Sequence, residues 1–166
     1  MGDATLRARV RELFHVDPES GQLVRKISRG PQSAGSAAGS LGGTGYLQVD
    51  VDGRKYLVHR LIWLHVHGSL PQRLDHADGD RTNNRIANLR PCSQSQNSAN
   101  RKRPRRAGRG RFKGVSWHKK SQQWRAYIVI DGKQRHLGFF SRERDAARAY
   151  SRAAKEAFGS FARSSV

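Results

Sequence analysis

Leu6, Val10, Leu13 and Phe14 recur at helical spacing within residues 4–16, so the chain opens on an expected amphipathic helix. The run Asp17-Pro18-Glu19-Ser20-Gly21 then predicts a turn. Residues 28–45 are mostly Gly, Ser and Ala and predict a flexible loop, disordered in part or ordered by a partner. From Tyr46 the period falls to two. Leu47, Val49 and Val51 share one face of a strand, and Asp52-Gly53 is a two-residue hairpin signal. Residues 58–68 read as a short helix ended by Gly68 and Pro71. Strand patterns return at 111–120, 122–130 and 133–140, the last two joined by Asp131-Gly132. Residues 141–159 predict a helix with Ser141 as N-cap and Glu143 and Asp145 in its first turn. Ala146, Ala149, Tyr150, Ala153 and Ala157 form its apolar stripe, Gly159 closes it, and its small alanines allow close approach to a three-stranded sheet.

Charge changes this picture. The 166 residues hold 32 Lys and Arg against 13 Asp and Glu, a formal net charge of +19. Such a balance predicts a polyanionic partner, nucleic acid first, because neutralising phosphates releases counterions. The cations concentrate in 101–111, RKRPRRAGRGR, where seven of eleven residues are basic. Self-repulsion and Pro and Gly content predict a linker there. Its Arg101, Lys102, Arg103, Arg105 and Arg106 are candidates to lie along DNA phosphates. Cys92 is the one cysteine, which excludes an intrachain disulfide framework and a cysteine-based zinc finger. The N-terminal residues lack an apolar core of signal-peptide length. The longest apolar stretch is interrupted by His59, Arg60 and His65. A soluble, cytoplasmic, non-secreted protein with no membrane contact is expected.

Candidate chemistry lies in residues 74–90, LDHADGDRTNNRIANLR. Asp75 and His76 are neighbours, and neighbours on a strand point to opposite faces, so they can do different jobs at one site. A carboxylate is a hard ligand for Mg²⁺. A neutral imidazole can take a proton from water. Asn88 follows twelve residues after His76, and Asn97 nine further on. Ser93 and Gln96 form a capping-box pattern that sets Asn97 near a helix start. Asp78-Gly79-Asp80 hints at a calcium loop, but its twelfth position is Ile86 or Leu89 rather than Glu. We read a tight turn. Asn83 and Asn84 read as caps of a helical turn. His59 reads as structural, and His65 and His67 lack ligand spacing with it. His15, His118 and His136 carry no signal alone.

His76, Asn88 and Asn97, with Asp75 beside the first, resemble the HNH nuclease motif in its ββα-metal form. The flanking phrases DPESGQLVRK, GYLQVDVDGRKYLVHRLIW and DHADGDRTNNRIANLR are similar to HNH homing endonucleases of bacteriophages, over most of residues 12–102. The resemblance implies that His76 is the general base for water attacking a DNA phosphate. It implies that Asp75 and Asn97 hold one divalent ion, Mg²⁺ for preference, and that Asn88 braces the loop and orients the histidine.

Residues 112–161 resemble the plant ethylene-response-factor (APETALA-type) DNA-binding domain in FKGV, in Trp124 with Ala126, in LGFF and in AARAY. That family reads the major groove with a three-stranded sheet backed by a helix. Here Lys113 stands where arginine is usual. Ser116 and Val129 replace two expected arginines, and His136 replaces a tryptophan, so plant target sequences do not carry over. Lys113, Trp117, Lys119, Trp124, Arg125, Arg135 and His136 are the candidate DNA contacts, with Trp117 and Trp124 equally suited to a core.

The expected fold is α+β. A helix and flexible segment (1–45) precede an HNH module (46–100), a basic linker (101–111) and an ethylene-response-factor-like domain (112–166). The expected function is metal-dependent cleavage of double-stranded DNA in a phage or mobile element, with no protein partner predicted. The alternatives are a DNA-binding regulator with a vestigial nuclease fold and an RNA-binding structural protein.

Overall fold

A computed structural model of the protein describes residues 2–101 and 110–163. Contacts divide it into two compact units, Met1–Pro91 and Cys92–Val166.

The first unit runs α1 (Asp3–Leu13), β1 (Phe14–Asp17), β2 (Gln22–Arg25), β3 (Ala37–Ala38), β4 (Ser40–Leu41), β5 (Leu47–Val51), β6 (Arg54–Leu57), α2 (Val58–His67), β7 (Leu74–His76) and β8 (Leu89–Pro91). Its strands form small antiparallel sheets, β1-β2-β3, β4-β5-β6 and β7-β8. The core joins Leu6, Val10 and Leu13 of α1 to Phe14, Leu23, Val49 and Val51 of the strands and to Val58, Leu61, Ile62 and Leu64 of α2. The C-terminal end of α2 and the residues just beyond it are fixed by α1. The Arg7 guanidinium donates twice to the His65 carbonyl, at 3.0 and 2.7 Å, and Asp3 accepts from Leu70 N at 2.8 Å. Such bonds satisfy backbone groups that a helix end leaves open.

Two features depart from the pattern reading. Residues 14–25 form the β1–β2 hairpin around the expected turn. The segment 28–45, expected as a flexible loop, carries β3 and β4. Its small residues allow that packing: Ala38 is buried and pairs with Leu23.

The second unit runs α3 (Gln94–Asn100), β9 (Val115–His118), β10 (Gln123–Ile130), β11 (Lys133–Phe140) and α4 (Glu143–Phe158). The three strands form an antiparallel sheet in the order β11-β10-β9, packed on α4. Asp131 (φ 48°) and Gly132 (φ 77°) make the β10–β11 turn, as Asp52 (51°) and Gly53 (78°) make the β5–β6 turn. Both are left-handed pairs of the kind that match strand twist. The helix begins at Glu143 with Arg142 as N-cap, one residue beyond the expected Ser141, and no side chain caps it. Its buried stripe is Ala146, Ala147, Tyr150, Ala154 and Phe158. Of the expected stripe, Ala146 and Tyr150 are buried and Ala149 and Ala153 pack against the core, whereas Ala157 is exposed and Phe158 closes the core in its place.

The helix α3, which the sequence pattern groups with the HNH module, folds with the second unit. Ala99 is buried among Ile128, Tyr150, Ala154 and Phe158. The Ser95 hydroxyl lies 3.1 Å from the Asp131 carboxylate and accepts from the Asp131 amide at 2.9 Å.

Candidate active site

β7 and β8 are short strands joined by a twelve-residue polar loop (77–88). Their register sets Asp75 opposite Arg90 and His76 opposite Leu89. Asp75 and His76 are 6% and 3% exposed. A carboxylate so buried needs a partner, and Arg90 supplies one: its Nε and Nη2 reach Oδ2 of Asp75 at 3.1 and 3.0 Å. Spacing could not reveal Arg90, because cross-strand neighbours are known only once the register is.

The loop is stitched by its own acids and amides. Asn88 Nδ2 donates to Asp78 Oδ1 at 3.0 Å and to the Asn83 carbonyl at 2.8 Å, while Asn88 Oδ1 accepts from Asp78 N at 3.1 Å. Asn83 Nδ2 donates to Asp78 Oδ2 at 2.7 Å. Asp80 accepts from the amide and hydroxyl of Thr82, at 2.9 and 2.7 Å. These bonds set the carboxyls. Burial pushes Asp78 up, but the Asp80 amide and the Asn83 and Asn88 donors outweigh it and hold Asp78 below the ordinary range. The Thr82 amide and hydroxyl lower Asp80. The Asp78-Gly79-Asp80 turn is thus a hydrogen-bonded scaffold, and Asn88 ties both of its sides.

Around His76 the unit gathers groups that no spacing marked. Asn84 Oδ1 stands 3.1 Å from His76 Nε2. The His59 ring, presented from α2, meets the His76 ring edge-on at 4.8 Å between centroids. Tyr46 lies 5.8 Å away, and the Arg81 guanidinium sits 5.0 Å above the Tyr46 ring. Burial, with smaller contributions from the charges of His76 and Arg60, drives His59 down to about 3 and keeps it neutral.

Asn97 lies on α3. Ser93 and Gln96 form the expected capping box there, at 3.1 and 2.8 Å. Asp75, His76 and Asn88 therefore come together in the first unit, and Asn97 belongs to the second. Among the described residues no group of three or more His, Cys, Asp or Glu side chains is arranged to hold a metal ion. The donor chemistry still fits Mg²⁺, which takes hard oxygens and commonly binds few protein groups, with water and phosphate completing its shell. Asp75 offers such an oxygen in the first unit.

The candidate DNA contacts divide between the faces of the β9–β11 sheet. Ala126 and Ile128 are buried toward α4. Strand alternation turns Arg125, Tyr127 and Val129 to the other face. In register beside them lie Ser116, Phe139 and His136. The Arg125 guanidinium stands 5.3 Å from the Tyr127 ring centre. Phe139 packs between His118 and His136 at 5.1 and 4.7 Å. Tyr127, His118 and Phe139 were not singled out by spacing, because the side of the sheet facing solvent is decided by α4. Trp117 and Trp124 pair edge-on at 5.1 Å and are half-buried, with Trp124 against the alanines of α4. Lys119 and Arg135 are exposed. Lys113 is half-buried, and its ammonium donates to the carbonyls of Ser98, Ala99 and Arg101 at 2.6, 2.6 and 3.0 Å. Arg101 is exposed, whereas Lys102, Arg103, Arg105 and Arg106 lie outside the described residues.

A family model for HNH endonucleases matches residues 56–99, which span α2, the β7–β8 hairpin and most of α3. The chain is 34% identical over 110 residues to protein 3.8 of Escherichia phage T7, covering 63% of this chain and 87% of that protein. It is 33% identical over 125 residues to an uncharacterised HNH endonuclease of Acanthamoeba polyphaga mimivirus, covering 74% of this chain and 63% of that protein. The chain belongs to the HNH endonuclease family. No solved structure matches it significantly. Among the described residues no helix is long and apolar enough to cross a membrane.

Proposed function

We propose that the protein is a metal-dependent endonuclease that hydrolyses phosphodiester bonds of double-stranded DNA, as a homing-type enzyme of a phage or mobile element. The observation that carries this reading is the β7–β8 hairpin, with Asp75 and His76 adjacent, buried and hydrogen-bonded within the HNH-matching segment. His76 accepts a proton from water as the water oxygen bonds to phosphorus and the 3′ oxygen leaves. Asp75, aligned by Arg90, would hold one divalent ion, most suitably Mg²⁺, with Asn97 as the second ligand that the HNH resemblance implies. Such an ion, when bound, would offset charge on the phosphoryl oxygen and the departing 3′ oxygen. Asn88 keeps the loop, and through it the histidine strand, in one conformation.

The second unit anchors the enzyme on DNA. Its three-stranded sheet backed by one helix is the arrangement that the ethylene-response-factor-like resemblance implies. Arg125 and His136 on the open face, with Lys119, Arg135 and the cations of residues 101–106, contact phosphates and bases. Trp117 and Trp124 support the sheet from its covered side.

A supercoiled plasmid incubated with the protein in Mg²⁺, and in EDTA, tests the reading. We expect nicking or linearisation in Mg²⁺ that EDTA and His76→Ala both abolish. The competing reading is a DNA-binding regulator with a silent nuclease fold, favoured by the pairing of Asp75 with Arg90. Plasmid binding without cleavage in any of Mg²⁺, Mn²⁺ or Ca²⁺ would select it.

A further inference from the structure

The strand does not fix His76 by itself. The 3.1 Å contact of its Nε2 is with Oδ1 of Asn84, a side chain only 1% exposed. Burying a carboxamide is unfavourable unless its hydrogen bonds are replaced. Asn84 Nδ2 has no partner among the described residues. The fold therefore keeps an incompletely satisfied amide at this position, and its oxygen is directed at the histidine.

The backbone carrying Asn84 is braced by a remote part of the first unit. Ile86 N donates to the Pro18 carbonyl at 2.9 Å. A Cβ at Gly21, where φ is +75°, would lie 2.5 Å from Arg85 N and 2.6 Å from the Asn84 carbonyl carbon. The turn at 17–21 thus rests directly on residues 84 and 85, and only glycine permits that approach. The turn is itself fixed, since the Asp17 carboxylate accepts from the amides of Glu19 and Ser20 and from the Ser20 hydroxyl. His59 and Tyr46 pack on the other sides of the His76 ring. Packing limits the ring plane but does not choose between its two nitrogens. A directional acceptor does.

We propose that Asn84 is a positioning residue for His76: its Oδ1 accepts the Nε2 proton and fixes the tautomer and plane of the imidazole, and the turn at 17–21 holds Asn84 in register. With the proton on Nε2, the basic lone pair is confined to Nδ1. This inference rests on the reading of His76 as the general base.

The test uses the full chain and separates rate from affinity. Asn84→Leu keeps the branched shape and removes the acceptor. Asn84→Asp restores an acceptor at the same length. Single-turnover cleavage of supercoiled plasmid in Mg²⁺ should slow by about 10- to 100-fold in Asn84→Leu, the range that hydrogen-bond partners orienting metal-ligating histidines contribute. The Kd for the same DNA in EDTA should stay within about twofold, and Asn84→Asp should recover most of the rate. A folded Asn84→Leu protein that cleaves at the wild-type rate overturns the proposal. So does a parallel loss of rate and affinity that Asn84→Asp fails to rescue. Should Asn84→Leu not fold, long-range ¹⁵N–¹H spectra of the wild-type imidazoles decide. A single Nε2–H tautomer for His76 supports the inference, and an Nδ1–H form or a mixture refutes it. Full activity of His76→Ala would instead remove the general-base reading. An inactive His76→Ala beside a fully active Asn84→Leu would remove only the role of Asn84.

Discussion

Asp75 and His76 are 6% and 3% exposed, whereas Phe139 and Val129, on the open face of the β9–β11 sheet, are 42% and 46% exposed. The first unit turns Asp75 and His76 inward and surrounds them with amides, an arginine and other rings. The second turns alanines inward and leaves Arg125, Tyr127, His136 and Phe139 outward. The difference fits the roles proposed for the two units. Proton transfer needs a group held in one geometry, and burial with hydrogen bonds supplies that. Contact with a long polyanion needs accessible cations and rings, which a sheet covered on one side provides. The contrast predicts that substitutions in the first unit change rate or stability, and substitutions on the open sheet face change affinity.

The largest expected effect is on rate. His76→Ala should slow cleavage by at least about 10²- to 10⁴-fold, the usual contribution of a general base. Its DNA affinity in EDTA should be unchanged. An equal loss of binding would break the contrast, because His76 would then be a contact residue. Next is Arg90→Met, which removes the arginine from a buried carboxylate. Breaking such a pair costs about 3 kcal/mol, so chemical denaturation should show the first unit unfolding at clearly lower denaturant. An unchanged midpoint would mean that Asp75 does not depend on Arg90.

Acid should act in the same unit. The His59 pKa is about 3 in the fold against 6.5 unfolded. Between those values the unfolded chain binds a proton that the folded one does not, so stability falls as pH falls. The slope contributed is at most about 1.4 kcal/mol per pH unit. His59→Phe should flatten the melting temperature profile from pH 6 downward, and an unaltered slope would place the acid sensitivity elsewhere. The smallest effects belong to the sheet. Arg125→Ala should weaken DNA binding modestly and reduce the slope of log Kd against log salt by about one, with no change in melting temperature. Lys113→Met sharpens the contrast, since this cation lies in the second unit but is engaged by the α3 carbonyls. It should lower stability and leave the salt slope unchanged. A slope reduced as in Arg125→Ala would return Lys113 to the DNA contacts.

Local pattern carried much of this molecule. Period-two and period-3.6 spacing located α1, the β5–β6 hairpin, α2, the three-stranded sheet and α4. Asp-Gly pairs marked both left-handed turns, and Ser93 with Gln96 marked the start of α3. Adjacency made Asp75 and His76 visible as candidates, because it is written in the chain itself. Other features depended on segments distant in sequence. Arg90 meets Asp75 only through strand register, Asn84 and His59 meet His76 only after the loop and α2 pack, and Gly21 is explained only by the backbone of residues 84 and 85 lying against it. Lys113 looks like any surface cation until the α3 carbonyls surround it. In the α4 stripe only Ala157 departs from the expected face, because alanines mark a helix face weakly and Phe158 closes the core. Sequence alone determined which residue types could perform hydrolysis and where most of the helices and longer strands would lie, since those properties depend on neighbours a few positions apart. Tertiary structure decided which polar groups are buried together, because the free energy of burying a charge or an amide depends on partners that only the folded chain brings within hydrogen-bond distance.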